Sequence, residues 1–467
     1  MRQRSLHSRV LGTLLLCWII VLPLVGTMPP QARAAETVTY TVNSELDGAD
    51  TTPDGMCLAD QLEGGPCTLR AALFEANFAA YMGDRAVVNV PEGTYTLSLT
   101  TPVSQDAFWG DLDLVGESSS SAYHHQIVIQ GTGPGSVEID ADGIDRVLEV
   151  QGAVDLELYN LVIKNGLVLA TAAEDAQGGG ILFNGSQLLM RNVSFQLNEA
   201  RGKLVDPTFS SQGGALSVEN AILDTIDCSF VGNKADVGSA IYTWAPGSDR
   251  YAFLYGARIL DNEAADRGAV VSTHSPLYLV NATVTDNVTR ADPGGAQVCN
   301  NAVEAWDTAA VQNSTLQSAG WGWNLTCRNR PCAVRNSVFL TDQVGGAYGK
   351  NCAAVSTQIN TGGGNVADDT SCWSTPAEAD LVINRRDWQL AQRFGRYWVP
   401  YGSSPVVNRR NSQCIAITEF IGTTPQWGGL LLDARRNGRD DNLCDAGAIE
   451  GLLSFTYLPW AVVPSLE

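Results

Sequence analysis

Residues 258–270 read RILDNEAADRGAV, and the phrase has appeared twice before, as SFQLNEARG at 194–202 and SFVGNKADVGSAI at 229–241. Each time a short apolar run closes on Asn, a charged residue and Ala. Aligned on that Asn, the chain becomes a ladder of Asn165, Asn198, Asn233, Asn262 and Asn287, in steps of 33, 35, 29 and 25 residues. A second ladder opens the same apolar run a few residues upstream: Asn160, Asn192, Asp227, Asn281, Asn313 and Asn336, with Gly256 in the equivalent place. A glycine phrase and another apolar run follow most units, as in GGGILF, GGALSV, GSAIYT, RGAVVS and GGAQV.

Units of 23 to 35 residues holding two alternating runs are too long for a hairpin repeat. They carry too few apolar residues at helical spacing to be helix pairs. The pattern predicts an all-β solenoid, a parallel β-helix whose strands pair with their counterparts one coil on, about 4.8 Å away. Such a coil cannot bury its apolar face alone, so it needs neighbours. Asn is expected at the corners because it tolerates left-handed backbone more cheaply than most residues. Recurring amides would then hydrogen-bond along the stack. The Ala keeps a crowded corner small, while Glu199, Lys234 and Glu263 point out as a column of alternating sign. Extra length falls in TAAEDAQGG, RGKLVDPTFSSQ and APGSDRY, which read as loops protruding at corners, where function on solenoids tends to sit.

The first 34 residues read as a cleaved export signal: Arg2, Arg4 and Arg9, then the apolar VLGTLLLCWIIVLPLVGTM, then small residues at 32–34. Cys17 lacks the small neighbours of a lipoprotein signal. Cleavage removes four of the 29 basic residues and none of the 50 acidic ones, leaving 25 against 50 and a net charge of −25. So acidic a chain repels nucleic acid and anionic membrane, and neither is expected as a partner. Ten cysteines remain, an even number that reads as disulfides in an exported chain. With no CxxC pair and three remaining histidines, no zinc site is expected.

A solenoid exposes backbone and core at both ends, so both must be covered. PCTLRAALFEAN predicts a short capping helix, with Thr68 as N-cap and Leu69, Ala72, Leu73 and Ala76 on one face. Cys57 and Cys67 are expected to staple the loop that holds it. The stretch DGMCLADQLEGGPCTLRAALFEAN resembles the Cys-Ser-Leu-Arg-Glu-Ala segment that opens many bacterial extracellular β-helix proteins of the pectin-lyase-like fold. Thr68 stands for the Ser and Ala71 for the Glu. The far end, LLDARRNGRDDNLCDAGAIEG, is similar to their closing Asp-x-Arg-Gly run and Cys-Asp-x-Gly-Ala-x-Glu segment, through Asp433, Arg435, Arg439, Cys444, Asp445, Gly447, Ala448 and Glu450. Arg436 replaces the usual Gly, and Asn408 the usual Asp. The GGA and FxxN phrases resemble the repeats of polymorphic outer-membrane proteins. The likeness implies a right-handed β-helix with a disulfide-stapled C-terminal cap, in which Cys352 pairs with Cys372 and Cys414 with Cys444. It leaves Cys228, Cys299, Cys327 and Cys332 open, with Cys299 leaning towards Cys327 or Cys332. The resulting domains are a signal at 1–34, the N-terminal cap and first coils at 35–125, repeats at 126–345, a C-terminal cap at 346–451 and a tail at 452–467.

β-Helix enzymes cutting acidic polysaccharides need carboxylates that hold Ca²⁺ or basic groups, with a base nearby, or two carboxylates at a set separation. Asp261 and Asp286 occupy the same place in consecutive units, where earlier units have Leu197 and Gly232. Stacking would set them on the order of 5 Å apart, close enough to share a cation such as Ca²⁺ or a proton. Arg258, His274 and Arg290 lie nearby in sequence. Solvated turn carboxylates are the alternative reading of the Asp pair. No repeated Asp-basic triad of a pectate lyase is found, nor the joint signatures of a polygalacturonase. Tyr242, Trp244, Tyr251 and Tyr255 surround one loop and Trp306, Trp321 and Trp323 another, rings that either stack on sugars or plug the core. No cofactor is expected. The reading is a monomeric, secreted or cell-surface scaffold, non-catalytic, adhesin-like or polysaccharide-binding. A lyase or hydrolase acting on an extracellular acidic glycan is the alternative.

Overall fold

In this computed structural model, residues 35–383 are described except 61, 100–109, 118–123, 172–174, 203–209, 247–248, 266–268, 291–299, 320–321, 343–349, 374 and 378–379. Beyond them the backbone of four short strands is described, Gln392–Phe394, Tyr397–Val399, Ile415–Ile421 and Thr424–Gly429. The expected signal and tail lie outside these residues, as do Cys299, Cys414 and Cys444.

One coil runs through Leu216–Glu219, Ile222–Ile226, Ser229–Val231 and Lys234–Ala235. The next runs through Ile241–Trp244, Ala252–Tyr255, Arg258–Leu260 and Glu263–Ala265. Each strand pairs in parallel with its counterpart, Leu216 on Ile241, Leu223 on Ala252, Phe230 on Ile259 and Lys234 on Glu263. Repeated along the chain, this gives a parallel β-helix with one sheet of nine strands and one of 24 that wraps the remaining faces. Rungs begin at Thr37–Thr41, paired with Arg85–Thr96, and reach Leu381–Val382. The expected boundary at 345 therefore falls inside the stack: Lys350–Ala354, Ile359–Thr361 and Val366–Ala367 continue the three faces in register.

Inward residues make one continuous core from Tyr40 to Trp373. Phe195 and Phe230 stack face to face one rung apart, ring centres 5.0 Å from each other and planes 4° from parallel. Over the first rungs lies the helix Leu69–Tyr81, with Leu69, Ala72, Leu73 and Ala76 in that core and the Thr68 hydroxyl accepting from the Ala71 N–H. Arg70 anchors it, pairing at 2.8 Å with Asp47 and donating to the carbonyls of Gly110 and Asp111.

The two ladders do different work. The upstream one is the left-handed corner: Asn160, Asn192, Asp227, Asn281, Asn313 and Asn336 have φ between 47° and 56°, and Gly256 has 65°. In the other ladder Asn198, Asn233, Asn262 and Asn287 form a buried amide column, and the left-handed residue is the one before each: Leu197, Gly232, Asp261 and Asp286. Asn198, Asn233 and Asn262 donate from Nδ2 to Oδ1 of the next Asn at 3.0, 2.9 and 2.9 Å. Those same oxygens accept the backbone N–H of the Asn before. Asn165 does not belong to the column. Leu167 pairs with Glu199, so Asn165 is level with Leu197 and shares its positive φ, while Gly166 is level with Asn198 and donates its N–H to Oδ1 of Asn198 at 2.9 Å.

Three disulfides join described cysteines: Cys57–Cys67, Cys352–Cys372 and Cys327–Cys332. The last displaces the expected pairing of Cys299. Cys327 ends one strand and Cys332 begins the next, so a tight corner brings their Cα atoms to 6.1 Å. Cys228 is a free, buried thiol.

Candidate functional site

On the nine-stranded sheet the strands alternate, so Val218, Thr243, Thr273, Ala305 and Cys327 share the inward face at one level. The next residue along each strand turns outward as the chain leaves the sheet. Glu219 pairs with Trp244, and His274, Trp306 and Arg328 continue that row, their N–H groups donating to Thr243, Thr273 and Ala305. The outcome is a column of rings along the solenoid axis. Trp244 and His274 lie 4.5 Å apart between ring centres, His274 and Trp306 4.9 Å apart and nearly parallel, and the Arg328 guanidinium caps the Trp306 ring at 4.6 Å. Cation–π contact and a salt bridge with Glu304 hold Arg328 in place.

The surroundings set the chemistry. Trp244 remains 41 % exposed although both neighbours on its sheet are filled. Burial lowers His274 to about 4, so the imidazole sandwiched between the indoles is neutral at physiological pH. Two residues earlier on each strand, on the same side of the sheet as the rings, lie Ser217, Tyr242, Ser272, Glu304 and Thr326, and burial pushes the Tyr242 phenol up to about 12. The Ser217, Ser272 and Thr326 hydroxyls are buried without a hydrogen-bond partner. At the Trp244 end, Gln177 donates to Gln212 at 3.2 Å and to Glu219 at 2.9 Å. The arrangement presents ring edges, amides and one exposed indole.

A second cluster lies nearer the N-terminal end of the same sheet. Asp113 pairs with Glu149, and with Asp111 they place one oxygen each within 4.8 Å of one another. Burial raises Asp111 well above the ordinary carboxylate range and Asp113 to about 6, with Glu149 adding to the second shift. Arg146 bridges Asp111 and Glu149. Arg146 already offsets the charge of two of the three carboxylates, and the cluster sits beside the Arg70 anchor of the capping helix.

Asp261 and Asp286 are stacked one rung apart, since Leu260 pairs with Thr285. They occupy a left-handed corner, and Asp286 accepts from the Thr285 hydroxyl at 3.1 Å. His274 is not with them but on the nine-stranded sheet among the rings. Of the two aromatic groups, the structure unites Tyr242, Trp244 and Trp306. Tyr251 and Tyr255 belong to a separate cluster with Phe253 and Tyr278 on the other sheet. Trp321 lies outside the described residues. Neither Arg328 nor the Asp111–Asp113–Glu149 cluster was singled out from the sequence. The register that makes Arg328 follow Cys327 as Trp306 follows Ala305 is visible only in the strand pairing.

No protein-family model, curated protein or solved structure matches this chain. Its disulfides belong to an oxidising compartment. No described helix is long and apolar enough to cross a membrane.

Proposed function

We propose that this is a secreted, non-catalytic β-helix scaffold that binds extracellular polysaccharide along the outer face of its nine-stranded sheet. The observation that carries the reading is the Trp244–His274–Trp306 column with Trp244 open to solvent. The open Trp244 indole gains from contact with the C–H face of a sugar, the edges of His274 and Trp306 extend that apolar surface, and nearby amides serve hydroxyls. The column runs along the axis on a rigid sheet, so an extended chain meets successive rings without ordering the protein. Affinity electrophoresis of the secreted protein through a panel of soluble glycans tests this. The reading expects retardation by at least one glycan and loss of about tenfold in affinity for Trp244→Ala. Retardation by none, or equal retardation of the variant, would reject it.

The enzymatic alternative has its best support in Asp113, a carboxyl raised to about 6 beside Glu149. A raised acid next to a second carboxylate is what glycoside hydrolysis uses. Arg146 between Asp111 and Glu149 makes a structural ion network the better account. New reducing ends that vanish in Asp113→Asn would reverse the ranking.

A further inference from the structure

We infer that the polysaccharide taken by the aromatic column is uncharged, an inference that rests on the binding reading above and narrows it. The column's own cation is committed: Arg328 has Glu304 on its edge and the Trp306 face beneath it. At the opposite end stand two carboxylates, Glu219 and Asp175, both close enough to help raise the Tyr242 phenol. A uronate or sulfate laid on the rings would face these carboxylates without a free cation of the column to offset them, in a chain of strongly negative net charge. His274 supplies no positive charge either, because desolvation favours its neutral form. The polar groups left beside the open indole are half-buried amides, Gln177 and Gln212. These suit hydroxyl-rich, neutral sugars, which need donors and acceptors rather than counter-charges.

Repulsion between the face and an acidic glycan is a long-range, screenable force, whereas ring contact is short-range and insensitive to salt. Isothermal titration of the secreted protein separates the two, using cellohexaose and mannohexaose as neutral probes and hexagalacturonate as the acidic one. Each is titrated at low and high salt, with and without Ca²⁺. The inference expects a neutral probe to bind with salt-independent affinity, to lose about tenfold in Trp306→Ala, and to be unaffected by Ca²⁺. Hexagalacturonate should fail to bind at low salt, with or without Ca²⁺, and should gain affinity only as salt screens the carboxylates. Binding of hexagalacturonate at low salt, whether direct or only with Ca²⁺, overturns the inference while leaving the polysaccharide reading standing. Failure of all three probes, together with no retardation by any polymer in the electrophoresis panel, removes both. Circular dichroism of Trp306→Ala separates loss of the ring from loss of the fold.

Discussion

At the scale of single residues, the amide column shows how one side chain type can serve four bonds at a buried corner. Asn233 accepts at Oδ1 from the N–H and Nδ2 of Asn198, and donates from Nδ2 to Asn262 and to the carbonyl of Phe195. Replacing it with Leu strands two donors on Asn198, its backbone N–H and Nδ2, at roughly 1–3 kcal/mol for each buried group left unmade. Chemical denaturation of Asn233→Leu should therefore show a loss of at least about 2 kcal/mol, against a few tenths for the exposed Lys234→Gln. Equal, small effects would mean the column does not bear on stability. The sequence made this ladder legible because the same phrase recurs. It misplaced Asn165, since IKNG carries an Asn one position earlier than the column and its Gly166 is what aligns. An Asn can take the left-handed corner or the amide site, and only strand register tells them apart.

His274 gives the residue scale a pH dependence. Its folded value of about 4 lies below the ordinary histidine range, so between about 4 and 6.5 the unfolded chain binds the extra proton. The stability it contributes is present above about 6.5 and lost as pH falls through about 4. Asp113 and Asp224 run the other way: both are raised to about 6, so what they contribute is present below about 4 and lost as pH rises through 6. His274→Phe should remove the histidine part alone. Melting temperatures from pH 4 to 8 are expected to fall less on the acid side in the variant than in the wild type. Parallel curves would show that the imidazole is not desolvated in the column.

Elements meet at the N-terminal end, where a helix closes the solenoid. The helix itself was readable from Thr68 and its apolar spacing, because both signals are local. Arg70 was not readable as an anchor, because Asp47 and the Gly110–Asp111 pair come from two segments remote from it in sequence. Its side chain and that of Asp47 are 2 % and 3 % exposed, so removing the cation leaves a buried charge behind. Arg70→Met should cost about 3–5 kcal/mol and expose the first rungs to protease, read by limited proteolysis and denaturant melts. A variant as resistant as the wild type would show that the helix is held by its apolar face alone. The ring column escaped sequence reading for a related reason. Trp244, His274, Trp306 and Arg328 share no residue type and recur at 30, 32 and 22 residues, so only pairing of their strands reveals a row.

For the whole molecule, every face and column above depends on rungs stacking at one fixed register. Glu199 and Lys234 are register partners on adjacent rungs, and Lys234 in turn faces Glu263 with a 3.7 Å contact. Adjacent parallel strands lie about 4.8 Å apart, within disulfide reach, while a shift of two residues adds about 6.6 Å along the strand. Cysteines placed as Glu199→Cys with Lys234→Cys should therefore crosslink on mild oxidation. Glu199→Cys with Asp236→Cys should stay reduced under the same conditions. Peptide mapping that finds the first bridge and not the second is the predicted result. Efficient bridging of the offset pair, or of neither, would contradict the stacked register from which the fold and its binding face both follow.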